Sequence, residues 1–75
     1  MNVQDFIEKF AEAIEVDSAD LTAETEFRNL DEWDSVAYLS VIAMIDEEYD
    51  MQIEMPTFKT LKTLGDIAEY IEKSK

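Results

Sequence analysis

The chain has 75 residues, of which 47% are hydrophobic, and its 19 acidic and 6 basic side chains give a formal net charge of −13 at pH 7. This charge disfavours binding to nucleic acid or to anionic membranes, since both attract clustered lysine and arginine, and it favours protein partners with basic docking patches. The sequence contains no cysteine and no histidine, which excludes thiolate catalysis, cysteine-ligated zinc and the commonest general base.

The first predicted element is a helix from Val3 to Ile14. Its apolar residues recur at spacings of three and four, which places them on one face of a helix: Val3, Phe6, Ile7, Phe10, Ala13 and Ile14. From Val16 to Asp34 this periodicity is lost, and polar residues interrupt the apolar ones. We predict a long structureless loop here, anchored to the core by the side chains of Leu21, Phe27 and Leu30.

A second helix is predicted from Ser35 to Tyr49. Its core-facing stripe comprises Val36, Leu39, Ile42, Ile45 and Tyr49, and Val41 and Met44 widen it. Asp34 is suited to the N-cap position, because its carboxylate accepts a backbone N–H and lies at the positive end of the helix dipole. No glycine follows Tyr49 to mark the end of this helix.

The remaining chain predicts a helical turn or a short third helix at Pro56, and then a terminal helix. Thr63 and Asp66 have the spacing of a capping box, and the apolar residues that follow predict a helix to about Lys73. No segment shows the alternating pattern of a strand. The predicted fold class is therefore all-α, a small bundle of three to four helices with a long loop between the first and second helices.

The organisation of the chain is that of one small domain. The longest uninterrupted apolar run, Val41 to Ile45, is far shorter than the roughly 20 residues of a membrane-spanning helix. The first residues also lack a basic region ahead of an apolar one. No repeat or low-complexity tract divides the sequence. We expect a single cytoplasmic, monomeric domain over residues 1–75.

The carboxylates are predicted to form a solvated acidic surface. An acid/base pair needs at least one carboxyl group in a desolvated pocket, and nearly all of these residues fall on solvent-facing positions or in loops. Asp31, Glu32 and Asp34 lack the spacing and the turn-forming glycine of a calcium loop. We expect no catalytic residue and no specific metal site, only weak and diffuse binding of divalent cations to Asp46, Glu47, Glu48 and Asp50.

Ser35 and Trp33 each have two interpretations. Ser35 has no histidine to act as its base and no nearby lysine, so it is not a nucleophile by itself; a capping hydroxyl is the plain alternative. Trp33 directly precedes the second predicted helix. Its ring is predicted either to contact a partner or to pack against the loop.

Taken together, these features resemble the acyl carrier proteins. The residues that carry the resemblance are Asp34-Ser35-Val36 at the start of the second helix, Asp46-Glu47-Glu48-Tyr49-Asp50 at its end, and Thr63-Leu64-Gly65-Asp66-Ile67 at the start of the last helix. The match runs from Asp34 to Ile71 without a gap. The resemblance implies that a phosphopantetheinyl transferase attaches 4′-phosphopantetheine from coenzyme A to Ser35. The thiol of this arm would carry an acyl or aminoacyl group as a thioester, and the protein itself would not be an enzyme.

The resemblance also implies roles for residues around Ser35. Recognition of acyl- or aminoacyl-loading and processing enzymes is expected at Asp34, Val36, Asp46, Glu47 and Glu48, with Trp33 as a further candidate. An acyl-chain pocket between the second and third helices is expected at Ile42, Ile45, Ile53, Phe58, Leu61 and Ile71, all of which also suit a plain core. Phe58 stands where relatives often have a small residue, so its ring is expected to narrow the pocket.

The biosynthetic pathway that the carrier serves is predicted from the positions at which this sequence departs from the family pattern. Glu32-Trp33 precedes Asp34-Ser35 where fatty-acid synthesis members usually have a small residue, and Ala37 and Ser40 replace positions that are often acidic. These departures favour a carrier of a specialised pathway, of the polyketide, peptide-synthetase or aminoacyl type. A housekeeping carrier of fatty-acid synthesis is the alternative, and an acidic helical adaptor without a prosthetic group is a second one.

Overall fold

The computed structural model describes residues 2–74 and forms a bundle of four α-helices, 29 × 25 × 21 Å across. The helices are α1 (Val3–Ala13), α2 (Ser35–Tyr49), α3 (Met55–Phe58) and α4 (Leu64–Lys73). No strand occurs in residues 2–74. The predicted all-α class, with its long loop between the first and second helices, is confirmed. No helix within this range has the length and apolar character needed to cross a membrane.

The helix starts follow the predicted capping chemistry. The Asp34 carboxylate accepts a hydrogen bond from the Ala37 backbone N–H at 2.7 Å, and Thr63 and Asp66 form a reciprocal capping box at the start of α4. At the helix ends, Ile14 is the C-cap of α1 rather than its last residue. The predicted end of α2 at Tyr49 is confirmed, and the C-cap of this helix is Asp50, whose φ of 52° is left-handed. Aspartate is one of the few residues that tolerate this conformation.

The buried face of α2 matches the predicted stripe only in part, at Val41 and Ile45. Ala37, Val41 and Ile45 are its buried residues, whereas Val36 and Leu39 are 69% and 63% exposed. The prediction that these two face the core was therefore wrong. Most positions of α2 are apolar, so hydrophobic spacing alone does not select one face. The buried residues of α2 recur at spacings of four and face α1. Helix α1 also contacts α4.

The loop between α1 and α2 is ordered by short turns and by anchoring side chains. It contains two 3₁₀ turns, Ser18–Asp20 and Phe27–Asn29, which corrects the prediction of a structureless segment. Leu21 and Phe27 are buried, and Leu30 is half-buried against the core. All three predicted anchors therefore contact the core. Their burial offsets the entropy lost in ordering so long a connection.

Backbone contacts join the loop to the start of α4. The Gly65 N–H donates to the Ala23 carbonyl at 2.7 Å, and the Leu64 N–H donates to the Thr25 carbonyl at 3.1 Å. A Cβ atom at position 65 would lie 2.9 Å from the Ala23 oxygen. Glycine is thus required at this position because the two backbones approach too closely for a side chain.

Candidate functional site

Ser35 is the first residue of α2 and is exposed. The N-cap contact of this helix is made by Asp34, whose Oδ1 accepts the Ala37 N–H. The capping role that was the plain alternative for Ser35 is therefore filled by its neighbour. The arrangement presents a serine hydroxyl at the surface on a helix start that Asp34 holds in place.

A groove of about 380 Å³ lies beside Ser35. Its lining residues are Arg28, Trp33, Asp34, Ser35, Tyr38, Met55, Phe58 and Lys59. The walls are mainly apolar and aromatic, with the Tyr38 and Phe58 rings edge to face at a centroid distance of 5.1 Å. Two of the six basic residues of the chain, Arg28 and Lys59, line this groove. The surface next to Ser35 is thus less acidic than the net charge of the chain would indicate.

Arg28 connects the loop to α3 at one side of the groove. Its guanidinium donates hydrogen bonds to the carbonyl of Phe58, at 2.7 Å, and to the carbonyl of Leu61. The same group lies over the ring of Phe27, 4.8 Å from the centroid, and over that of Phe58. The Phe58 carbonyl, which also accepts the Leu61 backbone N–H at 3.0 Å, thus gains a charge-assisted hydrogen bond from Arg28. Sequence analysis missed this role, since the partners are about 30 residues away from Arg28 along the chain.

Trp33 is part of an aromatic cluster that also contains Phe10, Phe27, Tyr38 and Phe58. Its ring is nearly parallel to Phe10 and to Phe58, at centroid distances of 6.0 and 6.2 Å, and meets Phe27 edge to face at 4.9 Å. The side chain is half-buried. The Trp33 ring therefore packs within this cluster, in agreement with the packing interpretation. Only part of the ring is accessible in the groove.

The predicted recognition residues lie along the exposed side of α2. Val36 is next to Ser35, whereas Asp46, Glu47 and Glu48 are exposed at the far end of the helix. Leu39 and Met55, which is 46% exposed, add apolar surface near the serine that the sequence analysis did not assign. The only signal in the sequence was an excess of apolar residues over what one core face needs.

The two neutral positions that suggested a specialised pathway differ in exposure. Ala37 is only 6% exposed and belongs to the core, so an acidic residue there would be buried. Ser40 is half-buried. Only Ser40 therefore bears on the charge of the recognition surface.

The residues predicted for the acyl-chain pocket come together, and most of them lie in the core. Ile45, Ile53, Phe58, Leu61 and Ile71 are buried members of the hydrophobic core, and Ile42 is half-buried against it. Of these six, Phe58 alone lines the groove that contains Ser35. The other five residues do not line that groove.

Lys9 of α1 contacts the far end of α2. Its ammonium lies 3.6 Å from the Glu48 carboxylate and 5.0 Å from the centroid of the Tyr49 ring. Desolvation alone would lower the pKa of Lys9, but Tyr49 and Glu48 outweigh it and raise the pKa on balance. Burial is the main cause that raises the pKa of Tyr49. Lys9 therefore stays charged and neutralises part of the acidic end of α2 at physiological pH.

Comparison with known proteins gives one family. The family model described as "Phosphopantetheine attachment site" matches residues 4–71. The chain is 38% identical to an acyl carrier protein of Streptococcus thermophilus over 66 residues, which cover 88% of this chain and 85% of that protein. It is 39% identical to an acyl carrier protein of Streptococcus pyogenes serotype M1 over 69 residues, 91% of this chain and 89% of that protein. The solution structure of a holo acyl carrier protein from Geobacter metallireducens is similar with a TM-score of 0.79 and 27% identity, over 95% of this chain and 82% of that one.

Proposed function

The chain belongs to the acyl carrier protein family, and we propose that Ser35 is the residue that carries its phosphopantetheine arm. Proteins of this family are carriers and not enzymes, and the arm supplies a terminal thiol that holds an acyl group as a thioester. A chain without cysteine depends on such an external thiol. The arm would be attached by a phosphopantetheinyl transferase, because the chain offers no base to activate Ser35 itself.

The observation that supports Ser35 is its place at the exposed start of α2, with Asp34 as the capping residue. The hydroxyl is accessible to an external enzyme. The residues around it also suit a phosphodiester, since the backbone N–H groups of the first helical turn and the cations Arg28 and Lys59 lie on the same side of the molecule. Asp34 positions Ser35 by holding the helix start, although its carboxylate offsets part of this positive field.

The partner surface is proposed to combine an apolar and an acidic part of α2. Val36 and Leu39 would bury apolar area next to the modified serine, and Asp34 adds a charge there. Asp46, Glu47 and Glu48 would attract basic patches on loading and processing enzymes and raise their rate of encounter. Trp33 would contact a partner enzyme only through the accessible part of its ring.

The pathway is proposed to be a specialised one, of the polyketide, peptide-synthetase or aminoacyl type. Support comes from Trp33, whose large ring occupies the position before Asp34, and from the half-buried neutral Ser40. The exposed first half of α2 is apolar at Val36 and Leu39 rather than acidic. Enzymes that dock on a uniformly acidic helix would find fewer charge partners here.

We also propose that residues 1–75 act as one monomeric, cytoplasmic domain. Support comes from the buried residues, which form a single cluster that draws on all four helices and on the loop. A net charge of −13 would moreover oppose association between two copies of the chain through mutual repulsion.

The attachment is tested by intact-mass measurement after incubation with coenzyme A and a broad-specificity phosphopantetheinyl transferase. The wild-type chain should gain one phosphopantetheine, and Ser35→Ala should gain none. The variant should remain folded, because Asp34 makes the N-cap contact and a lost auxiliary hydroxyl costs about 1 kcal/mol at most. Ser40→Ala, a matched change one turn further along α2, should be loaded like the wild type.

Two results would contradict the proposed attachment. One is a Ser35→Ala protein that still gains the arm. The other is an unmodified wild-type chain under conditions that fully load an established carrier; that result would favour the adaptor alternative.

A further inference from the structure

Ser35 and Phe58 line the same groove, although they lie 23 positions apart in the sequence. Ser35 stands at the exposed start of α2, and Phe58 is the last residue of α3. Phe58 is 2% exposed, so its ring forms part of the groove wall rather than projecting from it. A group tethered to Ser35 and lying in the groove would meet this ring before reaching the interior of the bundle.

Further aromatic rings pack behind the groove wall that Phe58 forms. Trp33 lies nearly parallel to Phe58, and Phe10 lies nearly parallel to Trp33 in turn. Phe27 closes the cluster, with its centroid 5.5 Å from that of Phe58. A linear chain passing between these rings would have to separate contacts that are already satisfied, and close-packed interiors resist such displacement.

The space beyond the wall is occupied by side chains. Ile45, Ile71 and Val41 have no exposed surface, and Ile53 is buried as well. Arg28, which also lines the groove, holds the backbone of this wall through its hydrogen bonds to the carbonyls of Phe58 and Leu61. Phe58 is therefore restrained at its ring by aromatic neighbours and at its carbonyl by a guanidinium.

The charged residues that line the groove indicate which chemical group it holds. The charged residues that line it are Arg28, Lys59 and Asp34, so its local balance is positive in a chain whose net charge is −13. Sixteen of the 19 acidic residues precede Met55, whereas four of the six basic residues follow it. An anionic phosphodiester at Ser35 is complementary to this groove, and apolar walls suit the acyl group at the end of the same arm.

We propose that Phe58, backed by Trp33, is a specificity-determining residue that confines the cargo to the groove beside Ser35. The protein then takes compact acyl groups, which fit the groove, and does not draw a long linear chain into the bundle. This inference rests on the proposed attachment at Ser35.

The test compares acyl chain lengths on the same carrier. Acetyl-, butyryl-, octanoyl- and decanoyl-phosphopantetheine are transferred from the corresponding coenzyme A thioesters, loading at Ser35 is verified by intact mass, and Tm is measured. In the wild type, octanoyl and decanoyl forms should melt within about 2 °C of the form with a free thiol, a small shift for a domain of this size. In Phe58→Ala, the octanoyl form should melt about 4–8 °C above its own free-thiol form, because the chain fills the space that the ring vacates.

Met55→Ala is the matched control, since Met55 lines the groove but is 46% exposed and lies outside the aromatic cluster. It should show no stabilisation by octanoyl. A second measurement does not depend on the folding of Phe58→Ala. In the wild type with an isotope-labelled acyl chain, nuclear Overhauser contacts should reach Tyr38 and Met55 for butyryl, and should not reach Ile45 or Ile71 for octanoyl.

The outcomes separate the two proposals. Absence of loading at Ser35 would overturn the proposed function and this inference with it. Complete loading followed by a Tm that rises with chain length in the wild type would overturn this inference alone, as would contacts between the octanoyl chain and Ile45 or Ile71. A wild type insensitive to chain length, with octanoyl-dependent stabilisation in Phe58→Ala, supports it.

Discussion

Asp66 shows how one side chain defines a helix start in this protein. Its carboxylate accepts hydrogen bonds from the backbone N–H groups of Lys62, at 3.0 Å, and Thr63, at 3.1 Å, while the Thr63 hydroxyl accepts from the Asp66 N–H. These backbone bonds, the one from Lys62 first, lower the pKa of Asp66 below its usual range. A carboxyl whose pKa is lower in the folded state stabilises that state when ionised.

The prediction at this scale is that Asp66→Asn lowers the free energy of unfolding by about 1 kcal/mol at neutral pH. The folded-state pKa is depressed, so the stabilisation is complete above the unfolded-state pKa and is lost as pH falls through the folded-state pKa. The difference between wild type and variant should therefore be full at pH 7 and shrink in acid. Urea unfolding over a pH series measures it.

Asp31→Asn is the control for Asp66→Asn. It removes the same charge from an exposed position in the loop, and its effect on stability should be small at every pH. An Asp66→Asn protein as stable as the wild type at pH 7, or one whose deficit persisted unchanged in strong acid, would contradict the role assigned to the ionised carboxylate.

At the scale of elements, α2 has a narrow buried strip and a broad exposed side. Ala37, Val41 and Ile45 attach the helix to the core at spacings of four. The exposed side begins with the apolar Val36 and Leu39 and ends with the acidic cluster at Asp46-Glu47-Glu48. The helix thus presents two chemically different docking segments to a partner enzyme, and only the second one has a strong electrostatic field.

This division predicts which enzymes use the carrier. The holo protein should be a poor substrate for a fatty-acid ketosynthase or malonyl transferase. Ser40→Glu should raise kcat/KM with those enzymes by roughly two- to fivefold, the worth of one exposed ion pair. Ala37→Asp should not help, because position 37 is buried and a charge there would destabilise the helix packing.

This prediction is tested by steady-state kinetics, with a housekeeping acyl carrier protein measured in parallel. Ser40→Gln serves as the control, since it changes the size of the side chain at the same position without the charge. Wild-type turnover equal to that of the housekeeping carrier would contradict the specialised assignment and support its fatty-acid alternative.

At the scale of the whole molecule, excess negative charge opposes the compact state. The net charge is −13 on 75 residues. Within residues 2–74, Lys9 pairs with Glu48 and Lys73 with Glu69 on the exposed or half-exposed surface, and such pairs contribute little in water. Repulsion among the carboxylates therefore lowers the stability of a domain this small.

We predict that Tm rises with NaCl and rises further with millimolar Mg²⁺ or Ca²⁺, by about 4–8 °C for each kcal/mol of repulsion removed. Differential scanning calorimetry at matched ionic strengths separates general screening from divalent binding. No cluster of metal-ligating side chains occurs within residues 2–74, so the divalent effect should be gradual and should not saturate at one equivalent. Identical Tm values across the salt series would show that the repulsion is energetically unimportant.

The local features of this protein follow from its sequence alone. The bounds of α2, its Asp34 cap and the Thr63–Asp66 capping box were all predictable, because helix hydrogen bonds and caps join residues at most four positions apart. The placement of Ser35 at an exposed helix start follows from the same local chemistry.

Packing between segments far apart in the chain sets which surfaces those elements show. It leaves Val36 and Leu39 exposed, stacks Trp33 with Phe10 and Phe58, and brings Gly65 against Ala23. Such contacts depend on how several apolar faces share one core, and the apolar residues of α2 allow more than one answer by periodicity alone. The groove beside Ser35 is formed in the same way, since the loop, α2 and α3 each contribute a wall.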